Sequence, residues 1–136
     1  MIEIPDASLA IKWFLDEKDS EEALTILESI LDSPENYVVP ELFFYELNHV
    51  LFRIQGKITF VQKKQIDLLM NLGWKRFSLT PDILKITHKF QGLGLSGYDS
   101  AYVALAEYIN GVWITYDKEA HKKIARYKLS RLLISS

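Results

Sequence analysis

Along the chain, short apolar runs rich in Val, Ile and Tyr alternate with longer segments whose apolar residues recur every three or four positions. IEIP (residues 2–5), YVVP (37–40), WKRFSL (74–79), GVWIT (111–115) and SRLLIS (130–135) have the length and composition of strands. The segments between them carry helix-end signals. Asp19 with Glu22 forms a candidate capping box ahead of a stripe of Ala23, Leu24, Leu27, Ile30 and Leu31. Thr59 with Gln62 forms a second, before a helix that Gly73 can end. Thr80, with Pro81 at the first helical position, and Gly92 after Phe90 bracket another. The expected order is strand, two helices, strand, two helices, strand, two helices, strand, helix, strand. Strands separated by helices join a parallel sheet through right-handed crossovers, with helices over both faces, so the pattern predicts an α/β fold.

At 136 residues the chain is expected to be one domain, residues 1–136, hiding roughly two-thirds of its unfolded surface. It shows no repeat, linker or low-complexity tract. The absence of cysteine excludes disulfides, thiolate metal sites and a cysteine nucleophile, and fits a reducing compartment. MIEIPD has no basic leader pattern, and no run approaches the about 18 apolar residues of a membrane span, so a soluble, cytoplasmic protein is expected. Net charge is only −2, but residues 1–46 hold twelve acids against two lysines, and residues 47–136 hold six acids against fourteen Lys or Arg. That segregation suits an acidic pocket beside a basic rim, and equally suits ordinary solvated helix faces.

The placement of the acids narrows the choice. Asp6 follows the first predicted strand and Asp117 the fourth, each just before a helical segment, while Asp99 opens the helix that feeds the fourth strand. The carboxyl ends of parallel strands lie on one edge of a sheet, where ligands bind, so Asp6 and Asp117 are expected on the same rim. Each aspartate also has a plain structural role. Asp6 and Asp117 are good N-caps, and Ser96 with Asp99 fits the S-x-x-D capping pattern. Glu46 has no such role. It sits inside the helix of PELFFYELNHVLF, with Leu42, Phe43, His49 and Val50 three and four residues away, so it points along a largely apolar face and needs a partner. That partner is either Arg53 or a cation shared with the aspartates.

DASLAIKWFLDE from residue 6, PELFFYELNHVL from 40, LSGYDSAYVALAE from 95 and WITYDKEAHKKI from 113 together resemble the PIN-domain ribonucleases, particularly the VapC-type toxins, across nearly the whole chain. The resemblance implies a three-layer α/β/α fold with a central five-stranded parallel sheet in the order 3-2-1-4-5. It also implies a pocket of acids holding Mg²⁺, or Mn²⁺, at the carboxyl edge. Asp6, Glu46, Asp99 and Asp117 fall on the family's first to fourth acids, and Ser8 and Thr115 on the hydroxyl residues that accompany the first and fourth. Pro5, in place of the usual strand residue, Ser96–Gly97 before the third acid, and Glu119 two residues after the fourth are the departures.

The implied activity is endoribonucleolytic cleavage of RNA by attack of a metal-activated water on the phosphodiester, leaving a 5′-phosphate. Asp6 and Asp99 would be the principal ligands, and Glu46 and Asp117 would act through water or hold a second ion. The implied partners are an RNA substrate, a small cognate antitoxin and a second copy of the chain in a homodimer. The chemistry is coherent: two carboxylates about 4 Å apart repel by roughly 4 kcal/mol at an effective dielectric near 20, which a divalent ion offsets. All-oxygen ligands suit a hard ion such as Mg²⁺.

Other residues invite plainer readings. His49 and His121 lie one turn from acids, but scattered histidines form no metal motif, so structural or surface roles are expected. Lys122, Lys123, Arg126, Lys128 and Arg131 could contact phosphate or simply face solvent; Lys12 and Arg53 lie nearer the expected rim. Trp13 and Phe14 suit core packing or a partner surface. A receiver domain would need a phospho-accepting Asp after the third strand and a Lys after the fifth, and a haloacid-type phosphatase would need D-x-D where this chain has Asp6 and Ser8. The harder rival is a PIN fold serving as a binding or scaffold module with little nuclease activity.

Overall fold

The structure, a computed structural model, describes residues 1–15 and 20–134. β1 (Glu3–Pro5) passes into α1 (Ala7–Phe14) through the single residue Asp6, whose extended backbone and side-chain oxygen cap the helix at Leu9. There follow α2 (Glu21–Asp32), a 3₁₀ turn at Pro34–Asn36, β2 (Val38–Pro40), α3 (Leu42–Gln55), α4 (Phe60–Met70) and β3 (Lys75–Phe77). The chain continues through α5 (Pro81–Gln91), α6 (Gly97–Ile109), β4 (Val112–Thr115), α7 (Lys118–Ile124), a 3₁₀ turn at Ala125–Tyr127 and β5 (Ser130–Leu132). The predicted order of elements is the observed one.

The local signals act with some changes. Thr59 and Gln62 complete a capping box, each backbone N–H donating to the other's side-chain oxygen at 3.1 Å. α4 stops at Met70, however, and Gly73, with φ of 93°, turns the chain into β3 rather than ending the helix. The Asp19–Glu22 box lies outside the described residues. On α2 the expected Ala23 and Ile30 are buried and Leu27 packs against the core, but Ile26 joins the inner face while Leu24 and Leu31 face outward, so the stripe is rotated by part of a turn from the expected one.

All strand pairs are parallel, but a continuous five-stranded sheet in the order 3-2-1-4-5 is not what forms. β1, β4 and β5 make one sheet with β4 central, β2 and β3 make another, and between them runs one isolated bridge, Glu3 with Tyr37. Pro5 supplies the reason. Ile2 O accepts from Val112 N at 3.0 Å, so the even-numbered residues of β1 turn their backbone groups toward β4. Glu3 and Pro5 then face β2, and proline has no N–H to carry that ladder past the first bridge.

Trp113 and Tyr102 are the largest of the fully buried side chains, and their rings stack at 5.9 Å between α6 and β4. Phe43, Phe44 and Trp74 meet edge to face. Trp13 packs against Phe43 and donates its indole N–H to Ala23 O at 2.8 Å, so one side of it joins the core while the residue stays half-buried. Among the described residues no helix is long and apolar enough to cross a membrane.

The junction of α6 with the sheet depends on Gly111. Asn110, left-handed at φ 57°, ends the helix, and a Cβ on Gly111 would lie 2.7 Å from Ile2 O, the carbonyl that pairs β1 with β4. Gly111→Ala is therefore expected to destabilise the fold by about 1–3 kcal/mol, as overpacking against backbone does. Urea unfolding of the two proteins measures it, and an unchanged midpoint would show that β1 and β4 are not held this closely.

Candidate functional site

Because β1 and β4 are parallel neighbours with Pro5 opposite Ile114, the residues that follow them emerge on one edge. Asp6 caps α1 there, and Asp117 caps α7 through the Ala120 N–H at 3.0 Å. Asp99 arrives at the same edge from the first turn of α6. The capping box expected with Ser96 is half made: Ser96 Oγ accepts the Asp99 N–H at 3.0 Å. Glu46 projects from the second turn of α3.

Asp6 is buried and densely partnered. Its Oδ1 accepts from Ser8 Oγ at 2.5 Å and from Leu9 N at 3.2 Å, and its Oδ2 from Trp113 Nε1 at 2.9 Å. Burial raises its pKa; hydrogen bonds from Ser8, Thr115, Leu9 and Trp113 favour the ionised form and pull the other way. Ser8 Oγ also accepts the Tyr116 N–H at 3.5 Å, and Thr115 Oγ1 accepts the Asp117 N–H at 3.1 Å. The two hydroxyls thus tie the first and fourth acids to one small backbone network.

Glu46 is the opposite case. Its Oε1 is buried and completes no hydrogen bond of normal geometry, and the same is true of the Tyr102 hydroxyl. The Glu46 pKa is pushed up to about 7, by burial first and by the charges of Asp6 and Asp99, against lowering by the nearby Tyr102 hydroxyl. Asp99 is half-buried and also raised, by burial first and then by Asp117 and Asp6, against lowering by Ser96 and Lys123. The Tyr102 hydroxyl is itself raised well above its usual range by burial, with Glu46 and Asp6 adding to it. Electrostatics therefore join all four acids: Glu46 to Asp6 and Asp99, and Asp99 to Asp6 and Asp117.

They are neighbours rather than a formed cage. Among the described residues, no three His, Asp or Glu side chains stand so as to hold one ion as they are. Nor, among those residues, does any of the four acids form an ion pair; Arg53 is exposed and does not reach Glu46.

Sequence reading missed Tyr102 and Trp113. Tyr102 stands one helical turn after Asp99, and Trp113 two strand residues before Thr115, so both share a face with expected site residues. Lys123 is placed near Asp99, with its Nζ donating to Gly94 O at 3.1 Å, whereas Arg131 pairs with Glu3. Lys12 lies over the Tyr116 ring, His121 is engaged with Ser130, and His49 is exposed beside Glu46. The apolar hollow of about 420 Å³ between α5, α6 and the end of β3 lies next to the acids, through Gly97 and Tyr98, without being lined by them.

Residues 4–127 match the PIN domain family model, and the chain belongs to that family. No curated protein matches the sequence. Three of the solved structures that share its fold illustrate the likeness. A protein of Pyrobaculum aerophilum, PAE2754, is 20% identical with a TM-score of 0.65, covering 90% of this chain and 84% of its own. A toxin–antitoxin complex from Klebsiella pneumoniae gives 15%, a TM-score of 0.68, and 95% of each chain. FitAcB from Neisseria gonorrhoeae gives 11%, a TM-score of 0.67, and 91% and 94%.

The raised Glu46 carboxyl has a measurable consequence. A group that binds its proton more tightly when folded contributes stability below its unfolded pKa, and that contribution is lost as pH rises through the folded one. For Glu46 the window runs from 4.5 to about 7. In EDTA, the stability of the unaltered protein relative to Glu46→Gln is expected to fall across that range. Thermal unfolding of both at a series of pH values checks it, and a constant difference would rule out a buried, repelled Glu46.

Proposed function

We propose that this PIN domain is a Mg²⁺-dependent endoribonuclease, the toxin of a VapBC-type toxin–antitoxin pair. The observation that carries the reading is the buried Glu46 Oε1, which completes no hydrogen bond of normal geometry, has the nearby Tyr102 hydroxyl to favour its charge, and is repelled by Asp6 and Asp99. A half-buried carboxyl in that state is relieved by a proton or by a cation, and a cation is the relief that also serves its neighbours Asp6 and Asp99. The donor set fits a hard ion: every candidate ligand is a carboxylate oxygen, and no thiolate exists in the chain. Asp6 and Asp99 would hold Mg²⁺ (or Mn²⁺), with Glu46 and Asp117 acting through water or holding a second ion. When bound, such an ion supplies a Lewis acid that eases deprotonation of water and offsets charge on the phosphate.

The chain's own residues have separable tasks. Ser8, Trp113 and the Leu9 N–H hold the Asp6 carboxylate in one orientation. Thr115 links Asp6 to the backbone of Asp117. Lys123, already close enough to favour ionised Asp99, would attract the phosphate of an RNA strand, with Arg53 exposed farther along α3. An antitoxin partner draws support from the Klebsiella complex, whose fold matches over 95% of both chains, and a homodimer remains part of the proposal. The rival reading, a binding module, draws on the lack of a formed ion cage among the described residues.

Cleavage of a mixed RNA substrate decides between them. Asp6→Asn and Asp99→Asn are each expected to abolish Mg²⁺-dependent cleavage in a folded protein, as is excess EDTA. Mn²⁺ should raise the melting temperature of the unaltered protein but not of Asp6→Asn, because a ligand that binds only the native state stabilises it. Full cleavage by either variant, or in EDTA, would discard the metal-dependent reading.

A further inference from the structure

Three of the four acids directly follow a tyrosine: Tyr45–Glu46, Tyr98–Asp99 and Tyr116–Asp117. Two of these rings stand in solvent, Tyr45 at 77% exposure and Tyr98 at 64%, although Tyr102 and Trp113 at the same edge are buried. An aromatic ring left in water forgoes the burial that ordinarily stabilises it. Both exposed rings line a single hollow of about 260 Å³ together with Leu42, Glu46, His49 and Val50. Glu46 is therefore a wall common to the hollow and the acid cluster, and Tyr98 is joined by one peptide bond to Asp99.

We propose that this hollow is a base-binding subsite, in which an unpaired nucleobase of the RNA lies against the Tyr45 and Tyr98 rings beside the acids. The inference rests on the ribonuclease reading and extends it to the two side chains that would hold a base of the unpaired strand. The lining argues for a base over a phosphate. A phosphate placed there would face the Glu46 carboxyl, whereas a base is uncharged and presents an aromatic face to the rings. Stacking of this kind tolerates any base and is available only when the base is unpaired. Continuity with the acids gives the subsite a task, because a base held in the hollow fixes the adjoining phosphodiester at the carboxyl edge.

Steady-state cleavage of an unpaired RNA oligonucleotide in Mg²⁺, by the full chain and by two double variants, tests this. Y45A/Y98A is expected to raise KM roughly tenfold with kcat within about twofold, the loss typical of one stacked base. Y45F/Y98F, which keeps both rings, should retain the original KM. An unchanged KM in Y45A/Y98A, or an equal loss in Y45F/Y98F, overturns the subsite while leaving the nuclease reading intact. Light scattering on the same samples covers the other occupant: if Y45A/Y98A turns a dimer into a monomer with KM unaltered, the rings serve a second copy of the chain and the proposal is wrong. Absence of any cleavage by the unaltered protein removes the ribonuclease reading, and the subsite with it.

Discussion

Three carboxyl groups, Asp6 buried and Glu46 and Asp99 half-buried, lie close enough to raise one another's proton affinity, and the rest of the carboxyl edge is arranged around that constraint. Burial raises the pKa of each, yet the fold treats them differently. Asp6 receives donors from Ser8, Leu9, Thr115 and Trp113, all of which favour its charge. Glu46 has only the Tyr102 hydroxyl to favour its charge and is pushed up to about 7. A carboxyl that takes a proton near neutrality to relieve repulsion can be relieved equally by a cation, since proton and metal compete for the same oxygen. On the proposed function, that competition is what makes Glu46 responsive and Asp6 fixed.

The scaffold brings together residues 6, 46, 99 and 117 through parallel pairing and through one buried ring pair. β1 beside β4 sets Asp6 and Asp117 on a common edge. Trp113 on β4 donates to Asp6, while Tyr102, stacked on Trp113, influences Glu46. Two of the largest core side chains therefore touch the electrostatics of two acids. Close-packed interiors transmit small displacements rather than absorbing them, so the site inherits its precision from the core. Gly111 belongs to the same chain of dependence, because without its close approach to Ile2 O neither Trp113 nor α6 would sit as it does.

Much of this was legible in the sequence because it rests on local signals. The order of elements follows from apolar period and from caps such as Thr59–Gln62 and Thr80–Pro81; Asp6, Asp99 and Asp117 stand out by their places at strand and helix ends, and Glu46 by its place within an apolar helix face. What was hidden depends on register and on facing. Pro5 is plain to see, but that its missing N–H would face β2 follows only once Ile2 is known to pair with Val112. Leu24 and Leu31 look like core residues until the helix is turned by its neighbours. Tyr102 and Trp113 look purely apolar by composition, since their polar handles matter only when acids from distant segments arrive beside them.

The segregation of charge along the chain acquires a meaning that counting could not give. The acidic first part and the basic remainder meet again across the fold, where Glu3 pairs with Arg131 and Glu41 with Arg76. Such half-exposed pairs add little stability, about 0–1 kcal/mol each, but they show that the chain has arginines able to reach its early acids. Among the described residues, no lysine or arginine is in ion-pair contact with Asp6 or Glu46. Lys123 influences Asp99 without pairing with it. Acids at the strand flanks are thus neutralised from within, while the most deeply buried acids are not. On the proposed function, this arrangement, in which no described lysine or arginine pairs with Asp6 or Glu46 and Lys123 acts on Asp99 without pairing, leaves those two acids available to an external cation.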